Sequence, residues 1–85
     1  MNKTQTTMPE LMLIGKTSEE ASVELDRYLD NCVLSGIKSV RIVHGKGAGV
    51  LRSTVSSILK RDPRVSSYRL GGVGEGGDGV TVAEL

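Results

Sequence analysis

The chain is 85 residues long, 38% hydrophobic and 25% charged, with a formal net charge of +1. That length suits one small domain whose folding buries about 60–65% of the unfolded surface. No apolar run of about 18 residues is present, and the first residues lack the basic start and apolar stretch of a signal peptide, so the sequence reads as cytoplasmic, not membrane-spanning or secreted.

Residues 1–9 are polar, lack periodicity and end in Pro9, which reads as a linker or a vector remnant preceding a folded unit at residues 10–85. Leu11-Met12-Leu13-Ile14 is a continuous apolar run closed by Gly15, the pattern of a short strand buried on both faces. Thr17 and Glu20 are spaced to form a capping box and open a helix. Ala21, Leu25, Tyr28, Leu29 and Cys32 then recur at helical spacing, and Gly36 ends the segment.

Ile37 to Val43 alternates in part and predicts a second strand, ending at the glycine-rich segment His44 to Gly49. Leu51, Val55, Ile58 and Leu59 form the apolar stripe of a second helix that stops at Asp62-Pro63. Val65 to Leu70 and Gly79 to Leu85 predict two more strands. Between them, six glycines in the nine residues from Gly71 to Gly79 read as a long mobile loop. The order β-α-β-α-β-β predicts an α/β two-layer sandwich, with helices packed on a mixed sheet through right-handed crossovers.

Charge is segregated along the chain. From Lys38 to Arg69 eight basic residues stand against the single acid Asp62, a net of +7. Glu19, Glu20, Glu24, Asp26, Asp30, Glu75, Asp78 and Glu84 lie outside that span. The pattern suits a basic face for phosphate beside a solvated acidic helix, or a helix simply decorated with exposed cations. One cysteine, Cys32, and one histidine, His44, allow neither an internal disulfide nor a structural zinc site of about four such ligands.

The chemistry concentrates where the second strand hands over to the second helix. A glycine-rich turn opening a helix gathers free backbone N–H groups and the positive end of the helix dipole at one point, which suits an anion. Gly45, Gly47 and Gly49 let a phosphate approach the backbone, and Lys46 adds a mobile charge. The segment is not a Walker A loop, because Gly47 follows Lys46, and not a dinucleotide fingerprint, because Val50 stands where the last glycine belongs. The same glycines would also serve a purely structural tight turn.

His44 precedes the cradle, where an imidazole can donate a hydrogen bond, exchange a proton or simply cap the strand end. Hydrolysis of a phosphodiester needs water activation, positive charge at the phosphoryl oxygens and protonation of the leaving oxygen. His44 and Lys46 can supply two of these, while Asp78 and Glu75 are the carboxylates available for the third. Two scattered carboxylates form no ligand cluster for a divalent ion, and no cofactor is identified. Arg41, Arg52 and Arg69 are candidates to extend the grip along a backbone, Arg52 first because it lies one turn into the helix. Tyr28 and Tyr68 are the only aromatics, and Tyr28, like Cys32, reads as core, which leaves base stacking with little support.

Taken together, Glu19-Glu20-Ala21, Leu25-Asp26-x-Tyr28-Leu29-Asp30, Val40 to Arg52 and Gly76-Gly77-x-Gly79-Val80-Thr81-Val82-x-Glu84-Leu85 closely resemble the Smr, or small MutS-related, domain over about residues 10–85. Within that family the chain is most similar to domains that end bacterial MutS-like proteins. The resemblance implies a fold like the C-terminal domain of translation initiation factor three and DNA-nicking or RNA-cleaving endonuclease activity in active members. It implies DNA as partner, with RNA or the ribosome as others, and a parent protein that carries ATPase and dimerisation functions and acts in recombination or repair.

By motif position the resemblance puts His44 and Lys46 in a catalytic role. It puts Arg41, Gly45, Lys46, Gly47, Gly49 and Arg52 on the nucleic acid. One departure stands out. Active members commonly open with Leu-Asp-Leu-Arg-Gly, where this chain reads Leu11-Met12-Leu13-Ile14-Gly15. Neither Met12 nor Ile14 can activate water or hold charge, so a non-catalytic nucleic-acid or ribosome-docking module stands beside the endonuclease reading. A protein-interaction tail is a third.

Overall fold

The computed structural model describes residues 8–47 and 49–85, so most of the expected linker at residues 1–9 lies outside it. The elements follow the expected order: β1 (Glu10–Met12), α1 (Ser18–Leu34), β2 (Ser39–Val43), α2 (Val50–Arg61), β3 (Ser67–Leu70), a 3₁₀ turn at Gly77–Gly79 and β4 (Val80–Glu84). One four-stranded sheet has the order β1-β2-β4-β3, with β1 parallel to β2 and β4 antiparallel to both of its neighbours. Strands β2 and β3 therefore run the same way, and the last strand inserts between them as the sheet's centre.

Helix α1 begins and ends as its sequence dictates. Thr17 accepts from the Glu20 N–H while the Glu20 carboxylate accepts from the Thr17 N–H, closing the capping box. At the other end the N–H groups of Gly36 and Ile37 donate to Val33 O and Cys32 O, which satisfies carbonyls the helix itself cannot reach. The core lies between this helix, α2 and one face of the sheet. Leu13, Ala21, Leu25, Leu29, Val40, Ile42, Val55 and Ala83 are fully buried there, with Cys32 and Leu59 nearly so, and Tyr28 packs partly buried against them. Both helices lie on that face, the two-layer arrangement the element order predicts.

Three expectations change. Strand β1 is not buried on both faces: it is an edge strand, and while Leu13 is fully buried, Met12 and Ile14 are 53% and 57% exposed. An apolar run alone does not distinguish a central strand from an edge whose outer side chains meet solvent. The glycine segment is anchored, not free. Gly77 N–H donates to Gly72 O, the Glu75 carboxylate accepts from Gly72 N–H, and Arg41 donates to Glu75 O, folding the segment over the sheet face opposite the helices. There Gly76 lies against Val80, and the β4 residues Val80, Thr81, Val82 and Ala83 are all buried.

The third change is electrostatic. The charge segregation along the chain is largely undone in space, because cations of the basic span meet acids from outside it. Arg64 reaches Asp26 at 2.8 Å and Asp30 at 3.9 Å on α1, as well as Asp62 at 2.7 Å. Arg41 faces Glu10 at 3.7 Å, and Arg69 holds Glu75 through two contacts of 2.6 and 2.9 Å. The Arg69 guanidinium, helped by the Gly72 N–H, holds the Glu75 carboxyl well below the usual range, at about 2.

Candidate nucleic-acid interface

The β2–α2 connection builds a concave site from the chain upward. β2 alternates Val40, Ile42 and His44 toward the helices and Arg41 and Val43 toward the opposite face. Past the strand, the N–H groups of His44 and Gly45 both donate to Gly79 O at 3.1 and 2.9 Å, which pins the loop to the start of β4. Gly49 then caps α2 with φ +84°, a conformation that L side chains rarely adopt. It offers no capping side chain, and the helix's first turn holds no acidic residue. Among the described residues the first intrahelical bond of the turn is Ser53 N–H to Gly49 O. The N–H groups of Val50, Leu51 and Arg52 thus precede the helical ladder, at the positive end of the dipole.

These parts line a cavity of about 440 Å³ formed by Ile14, Gly15, His44, Gly45, Lys46, Gly47, Gly49, Val50, Leu51 and Arg52. The structure therefore brings together His44, Gly45, Lys46, Gly47, Gly49 and Arg52 of the residues singled out by sequence. Between the cations sits Asp78 of the 3₁₀ turn, 3.6 Å from Lys46 Nζ and 3.8 Å from Arg52 Nη1. All three side chains are more than a third exposed, so solvent screens these long contacts.

Arg41 is placed elsewhere. It lies on the far face of the sheet, where it faces Glu10 and donates to Glu75 O at 3.1 Å. Arg69 and Glu75 pair with one another, and neither lines this cavity. Of the two carboxylates considered for water activation, only Asp78 reaches the cavity's cations.

His44 is 4% exposed and both ring nitrogens are engaged: Nδ1 lies 3.0 Å from Gly45 O and Nε2 lies 2.8 Å from Thr81 Oγ1. A carbonyl oxygen only accepts, so in the neutral ring Nδ1 carries the proton and Nε2 accepts from the Thr81 hydroxyl. Thr81 escaped the sequence reading, since it looks like one more β-branched strand residue. Its inward parity on β4 is the signal that identifies it. Met12 lies on the edge strand, and Ile14 lines the cavity as an apolar wall beside Gly45. Among the described residues no three His, Cys, Asp or Glu side chains gather as a metal site would require, and no helix is long and apolar enough to cross a membrane.

A family model described as "Smr domain" matches residues 11–85. Proteins named endonuclease MutS2 from Symbiobacterium thermophilum and Clostridium novyi are 55% and 58% identical over 85 and 73 residues, covering 100% and 86% of this chain. The chain spans only 11% and 9% of their lengths. The crystal structure of the Smr domain of Thermus thermophilus MutS2 superposes with a TM-score of 0.89 at 42% identity, covering 92% of this chain and 98% of that one. YdaL, a stand-alone small MutS-related protein from Escherichia coli, shares the fold at a TM-score of 0.87 and 24% identity, over 94% of this chain and 66% of its own. The ordered blocks, the strand order and the family match over nearly the whole chain agree: it belongs to the Smr domain family, in the form found in MutS2 proteins.

Proposed function

We propose that the domain grips the sugar-phosphate backbone of a nucleic acid in the cavity between the β2–α2 loop and the start of β4. The observation that carries this reading is the convergence of Lys46, Arg52 and the first turn of α2, whose Gly49 cap offers no side chain, on one concave surface. Backbone N–H groups and the helix dipole receive a phosphate oxygen, and the two cations neutralise it. Asp78 already occupies the place between those cations, as an anion would. The cradle contacts phosphate and not base edges, so the grip tolerates any sequence, DNA before RNA or ribosomal RNA.

The similarity to proteins named endonuclease MutS2 supports cleavage as the function of this grip, with Lys46 stabilising the phosphoryl oxygens and His44 as the acid–base group. The cut would serve recombination or repair within a longer cytoplasmic protein, whose other domains supply ATPase activity and dimerisation. Such a reaction requires the His44 imidazole to exchange one of its internal partners for substrate. A second reading, a docking module that binds without cutting, is favoured by the engagement of both His44 nitrogens and by Met12 and Ile14 in β1 and its extension.

Incubation with supercoiled plasmid and with structured RNA, in EDTA or in Mg²⁺, separates the two. Nicking that disappears in His44→Ala establishes the nuclease, while binding with no cleavage in any condition establishes the docking module. Absence of binding at low salt, with no effect of Lys46→Ala, removes the phosphate reading itself.

A further inference from the structure

Beside the phosphate cavity runs a second groove of about 260 Å³, between α2 and the edge strand β3. Its lining includes Arg52, Ser53 and Ser56 of the helix, Tyr68, Arg69 and Leu70 of the strand, and Thr81 of β4. Arg52 is a wall of both depressions, so a chain lying over it passes from one into the other. Tyr68 stands opposite Ala83 in the sheet register, on the helix-facing side, yet β3 is an edge strand and the residue stays 36% exposed. A half-exposed aromatic and an exposed leucine, flanked by two hydroxyls and a guanidinium, present an apolar surface with a polar rim. The volume falls just below the range of about 300–1,000 Å³ typical of drug-sized ligands, which suits one planar heterocycle rather than a whole cofactor.

Resting on the phosphate reading above, we infer that this groove receives an unpaired nucleobase of the strand whose phosphate sits at Lys46 and Arg52, with Tyr68 as the stacking platform. Every base has a π-face, so stacking on Tyr68 tolerates any sequence. The serine hydroxyls can donate to or accept from the base edge. A base held in a duplex is stacked on its neighbours and cannot enter without being unstacked at a cost. The domain therefore distinguishes strands that carry free bases, such as gaps, flaps and loops, from continuous duplex. Arg52 joins the two sites by neutralising the phosphate and bordering the base, which fixes the spacing between them.

The chain contains no tryptophan, so Tyr68→Trp installs a single fluorophore in the groove. The test titrates this variant, the wild type, Tyr68→Ala and Lys46→Ala at low salt with an oligothymidylate of about twelve nucleotides and with a duplex of equal length. Folding of each variant is checked by circular dichroism. The expected result is tryptophan quenching by the single strand but not by the duplex. Tyr68→Ala should bind the single strand about five-fold or more weakly while its duplex affinity stays within about two-fold. Equal single-strand affinity of Tyr68→Ala and wild type, or an undisturbed tryptophan at saturating single strand, overturns the base site while leaving the phosphate grip standing. If Tyr68→Ala does not fold, the fluorescence of Tyr68→Trp alone decides. Failure of the wild type to bind either probe overturns the phosphate reading and the base site together.

Discussion

His44 Nε2 lies 2.8 Å from the Thr81 hydroxyl, so the one imidazole of the protein is fixed from the central strand as well as from Gly45 O of its own loop. Thr81 is 2% exposed, and replacing it with valine leaves a buried ring nitrogen without its partner. The expected cost is about 1–3 kcal/mol, read as a lower urea midpoint with an unchanged slope. Nitrogen NMR of the imidazole should show the Nδ1–H tautomer in the wild type, and the Nε2–H tautomer there would contradict the assignment.

Asp78 competes with any phosphate for Lys46 and Arg52. Its contacts are long and exposed, worth about 0–1 kcal/mol each at most. Asp78→Asn should therefore tighten binding to nucleic acid by roughly two- to five-fold at low salt. Anisotropy titrations measure this directly, and weaker binding of the variant would show that Asp78 helps hold the ligand.

The basic residues separate by position. Lys46→Ala and Arg52→Ala should each reduce the slope of log affinity against log salt by about one, because each removes one phosphate contact. Arg41→Ala should leave that slope unchanged, since its side chain faces Glu10 and Glu75 across the sheet from the cavity. A reduced slope for Arg41→Ala would mean that the nucleic acid wraps around the edge of the sheet.

Glu75 gives the fold a pH dependence. The bonds from Arg69 and Gly72 depress its folded pKa from 4.5 to about 2, so its stabilising contribution is complete above the unfolded value and is lost as pH falls from about 4.5 toward 2. Glu75→Gln should be less stable than wild type at pH 7, and the gap should close across that window in thermal melts. A gap that persists at pH 2 would rule out ionisation as its source.

Gly76 lies against Val80 so closely that a Cβ would overlap Val80 Cγ2, and its φ is +108°. Gly76→Ala should lift the segment from Val80 and destabilise the domain by about 1–3 kcal/mol. Hydrogen exchange should accelerate first at the Gly72 and Gly77 amides. Unchanged protection there would show that the segment tolerates the methyl group.

Much of the fold is legible in the residues themselves. Thr17 and Glu20 announce the start of α1, the spacing of Ala21, Leu25, Leu29 and Cys32 gives its buried face, and Asp62-Pro63 closes α2, because these are local rules of capping and period. The phosphate cradle is equally local, being one loop and the helix turn after it. What the sequence by itself determined was therefore the elements, their order and the loop that carries the chemistry.

Only the tertiary structure decided which distant groups meet. Inserting β4 between β2 and β3 carries Thr81 to His44 and brings Asp78 between Lys46 and Arg52, while the turn of the glycine segment carries Glu75 away to Arg69. The same topology makes β1 and β3 edges, which exposes Met12 and leaves Tyr68 half open beside Arg52. Strand order and side-chain parity fix these meetings, and both depend on pairings between residues more than thirty positions apart, such as Arg41 with Val82, that no local pattern encodes.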